Sequence, residues 1–234
     1  MRLVCNVAAV SLMLFCVARA ALADDPAAQP VLHQLHPQAD VVLISGDGGW
    51  GQIETDLAAG FRSQRMSVTT IDSSVQFARY HSVRHIAEDI EKTLDTQRPL
   101  VLVGYSFGAD LLPMLWPDLS SATRQRVVTI ALIAPTHDGS TAVDPTDTYD
   151  PLHHPMTPLA LHHAQLPVER LMCIFGHEER LSGYSSCPTS HLAKSHLLEL
   201  DGGHELGGQA SFVASKISTF AHDHMRDLAP IGPH

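Results

Sequence analysis

The stretch Pro99-Leu100-Val101-Leu102-Val103-Gly104-Tyr105-Ser106-Phe107-Gly108 decides the fold of this chain. Leu100 to Val103 are apolar on both faces, as in a strand covered from both sides. Gly104-Tyr105-Ser106-Phe107-Gly108 then matches G-x-S-x-G. Three fixed positions in five recur by chance, so the context carries the weight. A buried strand runs into Ser106, and a helical segment, Phe107 to Trp116, leaves it, with Pro113 expected to kink or shorten it. A serine on such a strained turn is lifted out of the sheet, and side chains at the flanking glycine positions would collide. The Phe107 N–H then faces a developing oxyanion at the helix N-terminus. The plainer alternative is a Gly-rich turn in a Rossmann-like sheet.

Working outward, the same alternation repeats. Val41 to Ser45, Ser67 to Ile71, Arg126 to Ala134, Arg170 to Phe175 and His196 to Leu200 are short apolar runs read as strands. Gln52 to Arg65, Ser82 to Thr96 and Gln209 to Phe220 carry helical spacing. Pro135 to Pro158, rich in Asp, Thr, Pro and His, reads as a long loop or small cap. Strands that are continuous apolar runs, separated by helices, predict a mostly parallel sheet with helices on both faces, the α/β-hydrolase fold.

A serine hydroxyl needs a base, and the base needs an orienting acid. In this architecture they follow in the order Ser, acid, His. His204 follows the last strand in the turn Asp201-Gly202-Gly203-His204 and is the candidate base. Gly176-His177-Glu178-Glu179 follows the preceding strand and offers Glu179 as the acid, with Glu178 the neighbouring alternative. The loop after the first strand, Ser45-Gly46-Asp47-Gly48-Gly49-Trp50, should supply the second oxyanion donor from the N–H of Asp47 or Gly48. The Asp47 carboxylate would oppose an oxyanion, so it suits a substrate cation or a loop-orienting role. Trp50 is a candidate pocket wall or a core residue.

The first segment reads as an address. Met1-Arg2, an apolar run from Leu3 to Val17, and Ala21-Leu22-Ala23 before Asp24 describe a secretory signal peptide over 1–23, with Ala18-Arg19-Ala20 an alternative cut and an uncleaved anchor the other reading. The remainder, 24–234, is read as a single domain with no later spanning segment. Cleavage would remove Cys5 and Cys16 and leave Cys173 and Cys187, a disulfide candidate in an exported protein, or else two buried thiols. The formal charge is −10, with 15 Lys+Arg against 25 Asp+Glu. Loss of Arg2 and Arg19 makes it −12, which argues against nucleic acid as a partner. The sixteen His, including His153-His154 and His162-His163, lack HExxH or cysteine partners, so no metal or other cofactor is expected.

Gly46-Asp47-Gly48-Gly49-Trp50, the elbow continued through Ala109-Asp110 with Pro113, and Cys173…Gly176…Cys187-Pro188 together resemble the bacterial virulence protein family VirJ/AcvB, in its short, single-domain form. The resemblance covers nearly the whole chain after residue 23. It implies an α/β-hydrolase fold, a periplasmic location and a role near type IV secretion or virulence. For the AcvB branch it implies hydrolysis of lysyl-phosphatidylglycerol. The family's serine falls on Ser106 and its late histidine on His204. Around the acid, Glu179-Arg180-Leu181-Ser182 lacks the further Asp expected there.

The expectation is therefore a periplasmic serine esterase acting on an aminoacylated phospholipid. Asp47, and secondarily Asp110 one turn past Ser106, are candidates for pairing with a lysyl ammonium. The competing expectation is a non-catalytic binding or chaperone-like partner of secreted proteins or secretion components on the same fold. An ordinary small-ester or peptide hydrolase is a third.

Overall fold

The computed structural model describes residues 38–80, 83–94, 97–136, 163–189 and 191–227. The signal segment, nearly all of the 135–158 loop and the histidines at 153, 154 and 162 lie outside them.

Six strands, β1 (Ala39–Ile44), β2 (Met66–Ile71), β3 (Leu100–Tyr105), β4 (Val127–Ile133), β5 (Leu171–Gly176) and β6 (His196–Leu200), form one sheet in the order β2-β1-β3-β4-β5-β6. Each adjacent pair is parallel. β1, β3, β4 and β5 are buried along their whole length, which is why they read as unbroken apolar runs. The edge strand β6 keeps mainly Leu200 inside.

Among the described residues seven helices accompany the strands: α1 (Gln52–Ser63), α2 (Ser73–Tyr80), α3 (Val83–Thr93), α4 (Phe107–Leu115), α5 (Ser121–Arg126), α6 (His177–Ser182) and α7 (Ala210–Asp227). One sheet face packs against Val83, Ile86, Ala87 and Ile90 of α3 and the apolar residues of α4. The other packs against Leu57, Ala58 and Phe61 of α1 and Val213, Ala214, Ile217 and Ala221 of α7. These are the i, i+3, i+4, i+7 stripes that the helical spacing requires. α1 and α7 meet closely at Gly60, where an added Cβ would lie 2.6 Å from the Ala214 Cβ.

Pro113 does not end α4, which passes through it to Leu115 and tightens into a 3₁₀ turn over Trp116–Asp118. Helices α2, α5 and α6 are additions to the sequence reading. Each is short and opened by a polar group rather than by apolar periodicity. Asp72 accepts from the Val75 N–H at 3.2 Å and Ser120 from the Thr123 N–H at 3.2 Å, both N-cap bonds. The closing helix runs to Asp227, past the expected Phe220.

Cys173 of β5 is bonded to Cys187, with 5.5 Å between Cα atoms and both side chains buried. The bridge closes a loop of fourteen residues that contains α6. Replacing both cysteines by alanine should cost about 3 kcal/mol by loop-closure entropy. Thermal melts of the two oxidised proteins test this; superimposable melts would reject a stabilising bridge.

Candidate active site

The register brings the site together at the C-terminal edge of the sheet. Ile44 pairs with Gly104, so the loop after β1 lies beside the turn after β3. Gly176 pairs with Leu200, so the loops after β5 and β6 are likewise adjacent. Order reverses between β1 and β3, where parallel sheets open a crevice.

Ser106 sits on a turn with φ +52° and ψ −119°, a left-handed backbone that costs a non-glycine residue about 1–3 kcal/mol. Its N–H donates to the Ile133 carbonyl at 2.8 Å, which fixes the turn to β4. The flanking glycines are sterically required. A Cβ on Gly104 would strike the backbone of Gly108, and one on Gly108 would strike the Ile44 carbonyl.

The Ser106 hydroxyl lies 2.8 Å from His204 Nε2, and His204 Nδ1 lies 2.7 Å from Glu179 Oε1. The second oxygen of Glu179 accepts from the Gly176 N–H at 2.8 Å, so the carboxylate is held from both ends. Glu179 is buried, at 4 % exposure. Glu178 faces outward as an exposed residue, and its backbone N–H is bonded to the Gly202 carbonyl at 3.0 Å. The Glu179 hydrogen bond is the main reason the His204 imidazole is more basic than usual; burial opposes it, and the charges of Glu179, Asp47 and Asp110 add to it. A neutral imidazole with Nδ1–H directed at Glu179 leaves Nε2 as the acceptor for the serine proton.

The His204 loop turns at Gly202, φ +97°. Gly176 must also lack a side chain, because a Cβ there would come within 2.6 Å of the Gly202 and Gly203 carbonyls. Two tyrosines flank the imidazole, Tyr105 at 5.5 Å and Tyr184 edge-on at 5.8 Å between ring centroids. The Tyr105 hydroxyl donates to the His204 carbonyl at 3.2 Å. Burial, with the surrounding carboxylates, pushes the Tyr105 phenol well above its ordinary range, so it remains a donor.

In the loop after β1, the Gly46 N–H donates to Glu54 Oε1 at 3.2 Å and the Gly51 N–H to Glu54 Oε2 at 3.0 Å. The Ser73 hydroxyl donates to the Gly46 carbonyl at 2.6 Å. The Gly46 N–H is thus engaged, and Asp47 and Gly48 line the same cavity as Ser106. Glu54 carries little signal in the sequence, because Gly51 has no capping side chain and leaves only the glutamate half of the S/T-x-x-E pattern.

A cavity of about 560 Å³ opens over Ser106 and His204. Asp47, Glu54, Asp56 and Glu205 line it, and among the described residues that line it there is no lysine or arginine. Two expected contacts differ. Asp110 is buried at 2 % exposure and both its oxygens accept from Thr136, so it cannot meet a substrate ammonium. Trp50 packs on the α1/α7 side of the core, its indole N–H donating to Thr55 at 3.1 Å, and the cavity wall passes from Gly49 to Gly51 without it.

The architecture is shared with solved hydrolases. The esterase domain of a Rhodothermus marinus protein superposes with a TM-score of 0.55 at 15 % identity, over 82 % of this chain and 89 % of that one. A lipase-esterase related protein from Clostridium acetobutylicum gives 0.51 at 14 % identity, over 80 % and 96 %. A Xanthomonas campestris structure assigned to the α/β superfamily of hydrolases gives 0.50 at 14 % identity, over 80 % and 99 %. At these identities the likeness shows the fold. No curated protein matches in sequence. Residues 39–225 match the family described as bacterial virulence protein (VirJ), which is most of the chain, and this protein belongs to that family.

Proposed function

We propose that this protein is a periplasmic serine esterase that removes the aminoacyl group, lysine in the first instance, from aminoacylated phosphatidylglycerol. The continuous hydrogen-bond chain Ser106–His204–Glu179 carries the proposal. Ser106 attacks the lysyl carbonyl while His204 takes its proton. The N–H groups of Phe107 and of Asp47 or Gly48 receive the oxyanion. His204 then protonates the departing glycerol oxygen, leaving lysyl-Ser106. Water attacks that ester with His204 again as base, releasing lysine and restoring the serine.

The cavity chemistry supports a cationic acyl group. A lysyl headgroup carries two ammonium groups and one phosphate, and the wall offers carboxylates from Asp47, Asp56 and Glu205. A buried disulfide is consistent with an oxidising compartment, as is the signal-like N-terminal segment. The exported chain is expected to begin at Asp24, which intact mass of a periplasmic fraction reads directly; full-length chain confined to the cytoplasm would reject export.

Vesicles containing lysyl-phosphatidylglycerol, with free lysine as readout, test the activity. Asp47→Asn should lower kcat/KM about tenfold on the lysyl lipid, the loss of one ammonium contact, and leave a neutral acetyl ester nearly unchanged. Equal loss on both substrates would make Asp47 a structural loop residue. No lysine release, with no labelling of Ser106 by a fluorophosphonate, would instead favour a non-catalytic partner of secreted proteins.

A further inference from the structure

Asp110 belongs to neither the serine–histidine–glutamate chain nor the cavity wall, and it is a buried carboxyl with a defined set of partners. It lies on the first turn of α4, just past Ser106. Its Oδ1 accepts from the Thr136 N–H at 2.9 Å and its Oδ2 from the Thr136 hydroxyl at 2.6 Å. Thr136 forms an antiparallel bridge with Ser185, and the Ser186 N–H donates to the Pro135 carbonyl at 3.1 Å. The N–H groups of Tyr184 and Ser185 both reach the Glu179 carbonyl, at 2.9 and 3.4 Å. The Tyr184 ring stands edge-on to His204, and Cys187 anchors the end of the segment to β5. A connected path thus runs from the nucleophile's helix, through Asp110 and Thr136, to the loop that holds the acid and packs on the base.

We propose that Asp110 is a positioning residue, which with Thr136 fixes the 184–187 loop against the Glu179–His204 pair and presents a second buried negative charge to the imidazole. The proposal rests on the hydrolase reading of the site. The groups acting on the imidazole are Glu179 from α6, Asp47 from the loop after β1, Asp110 from α4, and the two flanking tyrosines. Those acting on Asp110 are Thr136 and, across the site, His204. Burial pushes the Asp110 carboxyl up to about 7, with the Thr136 bonds and the His204 charge opposing it. Its charge is therefore present above neutral pH and withdrawn below it. While ionised it favours imidazolium, so it holds the acidic limb of activity at higher pH than Glu179 and Asp47 would alone.

Asp110→Asn separates the two roles. The amide keeps an oxygen for the Thr136 N–H and lacks the charge. Two readouts follow: the NMR titration of the His204 imidazole, assigned by comparison with His204→Gln, and the rate of Ser106 labelling by a fluorophosphonate across pH. In Asp110→Asn the imidazole should titrate at lower pH, and the ratio of labelling rates at pH 6 and pH 8 should rise roughly twofold. Thr136→Val, which keeps the backbone bond and removes the hydroxyl, stabilises protonated Asp110 and should move both readouts in the same direction by less. His204 titrations in both variants that superimpose on wild type would overturn the proposal. Wild-type protein that binds no probe while its His204 titration still responds to Asp110→Asn would overturn the hydrolase reading and leave the Asp110 assignment standing.

Discussion

Ester turnover should fall about 10⁶-fold in Ser106→Ala, and by a similar factor in His204→Ala, with the double variant little worse than either. The reason is the geometry: the 2.8 Å contact between Nε2 and the hydroxyl makes the two side chains one device, so removing either removes the covalent route. Neither change opens a large cavity, because His204 is partly exposed and the serine side chain is small. Melting temperatures should therefore stay near wild type. Glu179→Gln should be milder, about 10⁴-fold, since one amide cannot serve both His204 and the Gly176 N–H as the carboxylate does. Initial rates on the lysyl lipid, with fluorophosphonate labelling as a control, decide the matter. Undiminished turnover in Ser106→Ala would end the serine-esterase reading.

Gly108→Ala should be strongly disruptive, as should Gly104→Ala on the other side of Ser106. At Gly108 the new carbon would fall on the carbonyl of Ile44 and within 2.7 Å of the Ser45 carbonyl. Both are backbone atoms next to β1, and they cannot swing aside as a side chain would. A loss of at least about 3 kcal/mol is expected, which for a domain of this size lowers the melting point by about 10 °C. Labelling of Ser106 should be lost as well, because relieving the clash displaces the start of α4. Gly48→Ala is the control. Its added carbon meets nothing within 4 Å, and its melt should be unchanged. A Gly108→Ala melt within about 2 °C of wild type would show that the elbow tolerates a side chain there.

The parallel sheet was legible because β1, β3, β4 and β5 are buried on both faces and so carry no alternation to be misread. The serine and histidine were legible because each stands at a fixed place relative to a strand and to glycines. Glu179 was less so: the distinction from Glu178 depends on a one-residue helical rotation that opens α6, which nothing in the linear pattern fixes. Asp110 went astray for a different reason. A carboxylate one turn past the nucleophile looks like a pocket residue unless the partner that buries it is known, and Thr136 comes from a distant strand end. Glu54 and Tyr184 were silent because their roles lie in backbone bonds and ring contacts, not in a motif.

The close approach of α1 and α7 at Gly60 bears on how the site keeps its alignment. The oxyanion loop ends where α1 begins, and the histidine loop ends where α7 begins. The loops that carry Asp47 and His204 thus lead into two helices that share one core and touch most tightly at Gly60 and Ala214. Because each of those helices packs on the other, a substitution at Gly60 that pushes them apart should shift the Asp47 loop relative to the His204 loop.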